Sequence, residues 1–207
     1  MKKYIVVVFT VLLMANSALA SLITVDWGKT TNISTKKGSF TTTEFDLTIN
    51  SFNTYGYCLE PYVTTNKQTY DFSLISLSDN QNTPETYYKI AWLLDSFAPG
   101  NGNENTSDET KKAAAIQGIT WELLNGNDFK ITNKGDIGNY YNQYTLALSS
   151  LVLNDDIKKY LNNEFIIARN NMSQDLMIAL PTNPVPEPAT LLLFGVGLLG
   201  LAMRRKK

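Results

Sequence analysis

The sequence predicts an α+β fold: a β-sandwich or barrel-like sheet region carrying a helical insertion. Two observations predict it. Apolar residues recur with period two toward both ends of residues 21–183, and with a helical period between them. At 163 residues this stretch can bury one sizeable core, and no internal repeat is visible in it. Pro-rich or basic segments flank it at either end.

Residues 22–27 (LITVDW) and 45–49 (FDLTI) alternate as half-buried strands do. Residues 55–59 and 70–77 follow, rich in aromatic and aliphatic side chains. The period then changes. Residues 86–97 place Ile90, Leu93, Leu94 and Phe97 on one helical face, with Tyr87, Tyr88 and Trp92 read as core rather than as a sugar platform. Residues 98–106 are a Gly/Asn/Pro loop. Its segment 101–105 is rich in oxygen ligands but lacks EF-hand spacing, so it reads as loop and not as a calcium site. A second helix spans residues 107–125. Thr106 and Glu109 stand in capping-box spacing at its start, and Gly126 follows its end. Its apolar stripe is Ala113, Ile116, Thr120, Leu123 and Leu124. Residues 139–153 and 157–162 suggest further helix. Residues 164–168 and 175–180 read as two closing strands around Asn170-Asn171.

The two ends have different purposes. Lys2 and Lys3 precede the apolar run 4–14, and Ala18-Leu19-Ala20 follows, which is the pattern of a secretory signal peptide over residues 1–20. Cleavage would leave Ser21 first. At the other end the Pro-rich stretch 181–188 cannot continue helix or sheet. The apolar segment 190–203 contains Gly195, Gly197 and Gly200 and ends in Arg204, Arg205, Lys206 and Lys207. Fourteen residues at ~1.5 Å each give ~21 Å of helix, short of a ~30 Å hydrocarbon core. A short transmembrane helix of this kind is a temporary anchor, held transiently in the inner membrane.

Composition restricts the chemistry of the body. Without the basic ends, residues 21–183 carry 12 basic and 18 acidic side chains, with Arg169 the sole arginine, so a nucleic-acid partner is not expected. The absence of histidine removes Ser-His-Asp and Cys-His catalysis and most zinc sites. A single cysteine, Cys58, forbids an intrachain disulfide. No metal and no cofactor are expected.

Val185, Pro186, Glu187 and Pro188, followed by the glycine-studded apolar segment and the basic end, resemble the PEP-CTERM sorting tail over residues 184–207. The resemblance implies a Gram-negative bacterium, recognition by an exosortase, and export to the cell surface or extracellular matrix.

Two further segments carry reactive potential. Tyr57-Cys58-Leu59-Glu60 puts the cysteine among apolar neighbours on a strand. Gln117 sits in mid-helix, one turn before Trp121 and on the same face as Ala113, Thr120 and Leu124. A glutamine on a core face needs partners for its polar atoms. The two segments together resemble the thioester domains of surface adhesins. In those an aromatic-Cys-aliphatic-acidic strand and an aliphatic-Gln helix, with Trp four residues on, supply the bonding pair. Ile119 and Thr120 depart from that pattern, which has a smaller and an aliphatic residue there. The resemblance implies a Cys58–Gln117 thioester over the domain 21–183, shielded by Tyr57 and Trp121. Glu60 and Glu122 stand close enough in sequence to accept or relay a proton.

On that basis the chain acts once, without turnover, and is not an enzyme. An amine on a surface protein or a glycan would be its covalent target. Two other readings of the same residues stay open. One is a non-reactive matrix or polysaccharide-associated protein, disulfide-linked through Cys58. The other is a glycan hydrolase using Glu60 and Glu122, for which no motif speaks.

Overall fold

The computed structural model describes residues 20–79, 84–100 and 106–180. The expected signal peptide (apart from Ala20), the residue 101–105 loop, the Pro-rich stretch and the sorting helix lie outside the described residues. Six strands form the sheet: β1 (Ala20–Thr35), β2 (Gly38–Ile49), β3 (Phe52–Cys58), β4 (Gln68–Ile75), β5 (Phe165–Arg169) and β6 (Leu176–Ala179). Four helices stand between β4 and β5: α1 (Pro84–Phe97), α2 (Ser107–Asn125), α3 (Asp136–Ser149) and α4 (Asp155–Glu164). The fold is α+β, with the helices inserted into the strand order.

The strands close into a barrel in the order β1-β2-β3-β6-β5-β4, and every pairing is antiparallel. Closure removes the sheet edges that would otherwise invite another chain. Ile23, Val25, Phe45, Leu47 and Phe72 are buried, while Leu22, Thr24 and Asp46 beside them are exposed, as period-two alternation requires.

β1 and β2 are much longer than the alternating runs 22–27 and 45–49. Between Trp27 and Thr30 the β1–β2 register shifts by one residue. Such a bulge changes which side chains face inward. Before it Ile23 and Val25 fill the barrel. After it Ile33 lies against α2, where it would meet a Cβ on Gly118 at 3.2 Å. The threonine-rich stretches on either side of the hairpin turn hide this extension, since they contrast little between their two faces.

α2 is the central helix. Thr106 Oγ1 accepts from the Glu109 N–H and the Glu109 carboxylate accepts from the Thr106 N–H, which completes the capping box at its start. Gly126 ends it at φ +87, a conformation L side chains rarely adopt. Every residue from Ala113 to Trp121 is buried, against β1 and β2 on one side and α1 and α3 on the others. Gly118 makes this possible, because a Cβ there would stand 2.4 Å from Ile131 Cδ1. Tyr88 is buried, and Tyr87 and Trp92 pack against the core. Among the described residues no helix is long and apolar enough to cross a membrane.

Candidate functional site

β3 brings Cys58 to its last position, and β6 holds it there. Cys58 is opposite Leu176, and the Leu59 N–H donates to the Asp175 carbonyl at 2.9 Å. On the other side the β2–β3 ladder stops at the Glu44–Tyr57 pair. The next residue, Cys58, would then have its main-chain N–H and C=O unpaired. Gln117 of α2 takes both. Its Oε1 accepts from the Cys58 N–H at 3.1 Å, and its Nε2 donates to the Cys58 carbonyl at 2.6 Å. The carboxamide thus stands where the backbone of a further strand residue would be. Gln117 is 0% exposed and Cys58 4%, so this pairing removes two buried unsatisfied groups that would each cost about 1–3 kcal/mol.

Burial pushes the Cys58 thiol well above its ordinary range; a backbone hydrogen bond counters this slightly and the Glu60 charge adds to it. The thiol is therefore kept protonated near neutral pH. Its reactivity rests on placement rather than on thiolate population.

The residues around the pair are placed unevenly. Trp121 is buried one turn beyond Gln117, with its ring edge-on to Phe40 at 5.7 Å between centroids. The Trp121 Nε1 and the Thr120 hydroxyl are buried without a hydrogen-bond partner among the described residues. Ile119 and Thr120 are both buried, and the small residue of this turn is Gly118. Glu60 Oε2 accepts from the Asp175 N–H at 3.1 Å, beside β6. Glu122 is turned toward α3, where it accepts from the Tyr141 hydroxyl at 2.6 Å. Tyr57 also faces away from Cys58. Alternation along β3 puts neighbouring side chains on opposite faces, and the Tyr57 hydroxyl donates to Glu44 Oε2 at 2.5 Å. The glutamates therefore bracket different elements rather than one shared bond, and Tyr57 lines the helix-facing layer.

That layer contains a buried polar trio which sequence reading missed. Lys29 Nζ donates to Glu44 Oε1 at 2.8 Å and to the Gly100 carbonyl at 2.9 Å, and Lys29 and Glu44 are both buried. Burial raises the Glu44 carboxyl above its usual range, while the Lys29 and Tyr57 hydrogen bonds pull it back. Lys29 occupies the bulge itself, so no local pattern marks it as interior.

On its other side Cys58 lines a pocket of about 480 Å3 at one end of the barrel, with Trp27, Phe40, Tyr62 and Gln174 among its walls. Phe40 and Tyr62 meet edge-on at 5.8 Å, and Phe129 packs against both. The aromatic wall thus continues from the pocket to Trp121 on the helix that carries Gln117.

A barrel-strand cysteine whose backbone is held by a buried helix glutamine defines the site: a thiol and a carboxamide are brought together in the interior. The family model for the thioester domain matches residues 55–162, and that for the PEP-CTERM protein-sorting motif matches residues 184–206. The chain belongs to the thioester-domain family and carries a PEP-CTERM sorting motif. It is an exported bacterial surface protein with a thioester domain. The thioester match begins inside β3 and ends inside α4, so it includes both Cys58 and Gln117. Neither the curated proteins nor the solved structures contain a match to the chain.

Proposed function

We propose that the Cys58 sulfur and the Gln117 side-chain carbonyl carbon form an internal thioester, through which the protein couples covalently to an amine on a target surface. The observation that carries this is the double hydrogen bond of the Gln117 carboxamide to the Cys58 backbone, at 3.1 and 2.6 Å. Cys58 Sγ attacks the Gln117 Cδ, the thiol proton passes to the departing nitrogen, and ammonia leaves. No histidine is needed, because a fixed near-attack arrangement can supply ~7–11 kcal/mol of barrier lowering.

An incoming amine then attacks the same carbon. A Gln117–amine amide forms, the C–S bond breaks, and the amine proton ends on the Cys58 sulfur. Trp121 and the Phe40 ring behind it exclude water until that moment. The step happens once per molecule. At 4% exposure Cys58 is a poor partner for an intermolecular disulfide, which favours the thioester over a disulfide-linked matrix role.

The exported form is the domain 21–183, released from a signal peptide over residues 1–20. Residues 184–207 serve as the exosortase-processed tail, held transiently in the inner membrane of a Gram-negative cell before the domain reaches the surface or matrix. Intact-mass spectrometry tests the bond: the freshly purified protein should be lighter than its sequence by one ammonia, and the deficit should vanish in Cys58→Ala. A full mass in folded protein would overturn the proposal.

A further inference from the structure

The pocket above Cys58 has a composition that selects among amines. Four aromatic rings and five threonines line it, and none of its lining residues is charged. Its 480 Å3 falls within the ~300–1,000 Å3 typical of small-molecule sites. Trp27 is 48% and Tyr62 66% exposed, an unusual display for large rings on a surface protein. Both are fixed: the Trp27 Nε1 donates to the Thr65 carbonyl at 3.2 Å, and Tyr62 rests against Phe40 and Phe129.

Gln174 adds the second, independent observation. It lines the same pocket and is buried. Its Nε2 donates to the Glu60 carbonyl at 3.0 Å and its main-chain N–H donates to the Thr65 hydroxyl at 3.2 Å, so the side chain is anchored. Its Oε1 has no hydrogen-bond partner among the described residues. A buried, anchored and unused acceptor calls for a donor from outside the fold.

We infer that this pocket is the acceptor subsite of the proposed thioester and that it takes an amino-sugar residue of a de-N-acetylated polysaccharide. The rings stack on the apolar face of the sugar, the threonine hydroxyls meet its hydroxyls, and Gln174 Oε1 accepts a hydrogen bond from one sugar O–H or N–H. Charge decides against a lysine. A lysine ammonium, with a pKa near 10.4, would enter a wall without a carboxylate; at the rim Lys67, 5.5 Å from the Trp27 ring centroid, is already paired with Asp26 at 2.5 Å. The entering ammonium would also need a base to deprotonate it, and the chain has no histidine. A sugar amine, made a weaker base by its flanking hydroxyls, arrives largely neutral near pH 7.5 and needs none. The reaction conserves atoms as before: the sugar nitrogen bonds to Gln117 Cδ, and its proton goes to the Cys58 sulfur.

The covalent step rests on the proposed thioester, but recognition does not, and the experiment separates them. In the first arm the full-chain Cys58→Ala protein is titrated with a glucosamine tetramer and followed by tryptophan fluorescence. Saturable binding that weakens at least tenfold in Tyr62→Ala, with Gln174→Leu as a second probe, supports the subsite. No binding, or binding that neither variant alters, overturns it whatever the state of the thioester. In the second arm the unmodified full chain is followed by intact mass at pH 7.5. The tetramer should consume the thioester at least tenfold faster than Nα-acetyl-lysine amide at equal concentration. Tyr62→Ala should erase that advantage. A lysine rate equal to or above the sugar rate would overturn the assignment.

Discussion

Cys58→Ala and Gln117→Met both abolish the proposed thioester, yet they should not destabilise the protein equally. The two residues are 59 apart in sequence. Chain-entropy arguments for a cross-link closing a loop of that size give about 4 kcal/mol, lost in either variant. Beyond that the two differ. Cys58→Ala removes one small buried group, about 1 kcal/mol, and leaves the Gln117 carboxamide bonded to the backbone of residue 58. Gln117→Met strands the Cys58 N–H and C=O in a dry interior, where no β2 residue reaches them. At about 1–3 kcal/mol for each orphaned group, Gln117→Met should be the less stable variant by roughly 3 kcal/mol. With about 2–4 °C of Tm per kcal/mol for a domain of this size, the melting temperatures should differ by roughly 6–12 °C. Calorimetric melts of the two variants under identical buffer measure it directly. Equal melting temperatures would refute the reasoning, because they would mean the carboxamide contributes nothing as a substitute strand partner.

The buried trio gives a pH-dependent prediction. Glu44 is raised above its ordinary 4.5 in the fold, so its ionisation opposes folding, a penalty absent at lower pH that grows as pH rises toward the folded value. Lys29→Met removes the ammonium that offsets it and should cost about 3–5 kcal/mol near neutrality. Urea titrations should find that loss shrinking toward pH 4, and Lys29→Met/Glu44→Gln should recover more than half of it, with Tyr57 still bonded. Gly56→Ala places a Cβ 2.8 Å from Leu47 Cδ1 and 2.9 Å from the Met177 carbonyl oxygen. Because the backbone of β6 cannot easily retreat, a loss of about 1–3 kcal/mol is expected by denaturant unfolding. Thr106→Ala removes the hydroxyl that accepts from the Glu109 N–H, leaving only the Glu109 carboxylate on the backbone N–H of residue 106, and should cost about 0.5–2 kcal/mol. Its ammonia deficit by mass should be unchanged, since Gln117 lies three turns inside the helix.

Much of the fold was legible where a signal is local. The capping box and the glycine at 126 bound α2 at both ends, and the apolar stripe around Gln117 places that residue on a buried face. The strand-helix-strand order follows from the change of period. What sequence could not express is long-range pairing. The β1–β2 hairpin runs far beyond its alternating portions because a bulge at Lys29 changes the facing of the strand. The Lys29–Glu44 pair is hidden for the same reason, as is the orientation of Tyr57 and Glu122 away from Cys58. Gln174 had no local signal at all. It sits in the connection between β5 and β6, and only the closed barrel carries that connection to the pocket.

Barrel closure also sets a clock. Among the described residues β6 is the last strand in the chain, yet it is the one that lies beside Cys58, pairing Leu176 with it and offering the Asp175 carbonyl to Leu59. A chain threaded across a membrane from its N-terminus therefore carries cysteine and glutamine through long before their frame exists. The proposed thioester would close only after residues 175–179 arrive, ahead of the sorting motif. A chain stopped before Asp175 should accordingly keep its full mass, an unarmed precursor that cannot spend its one reaction on the wrong side of the membrane.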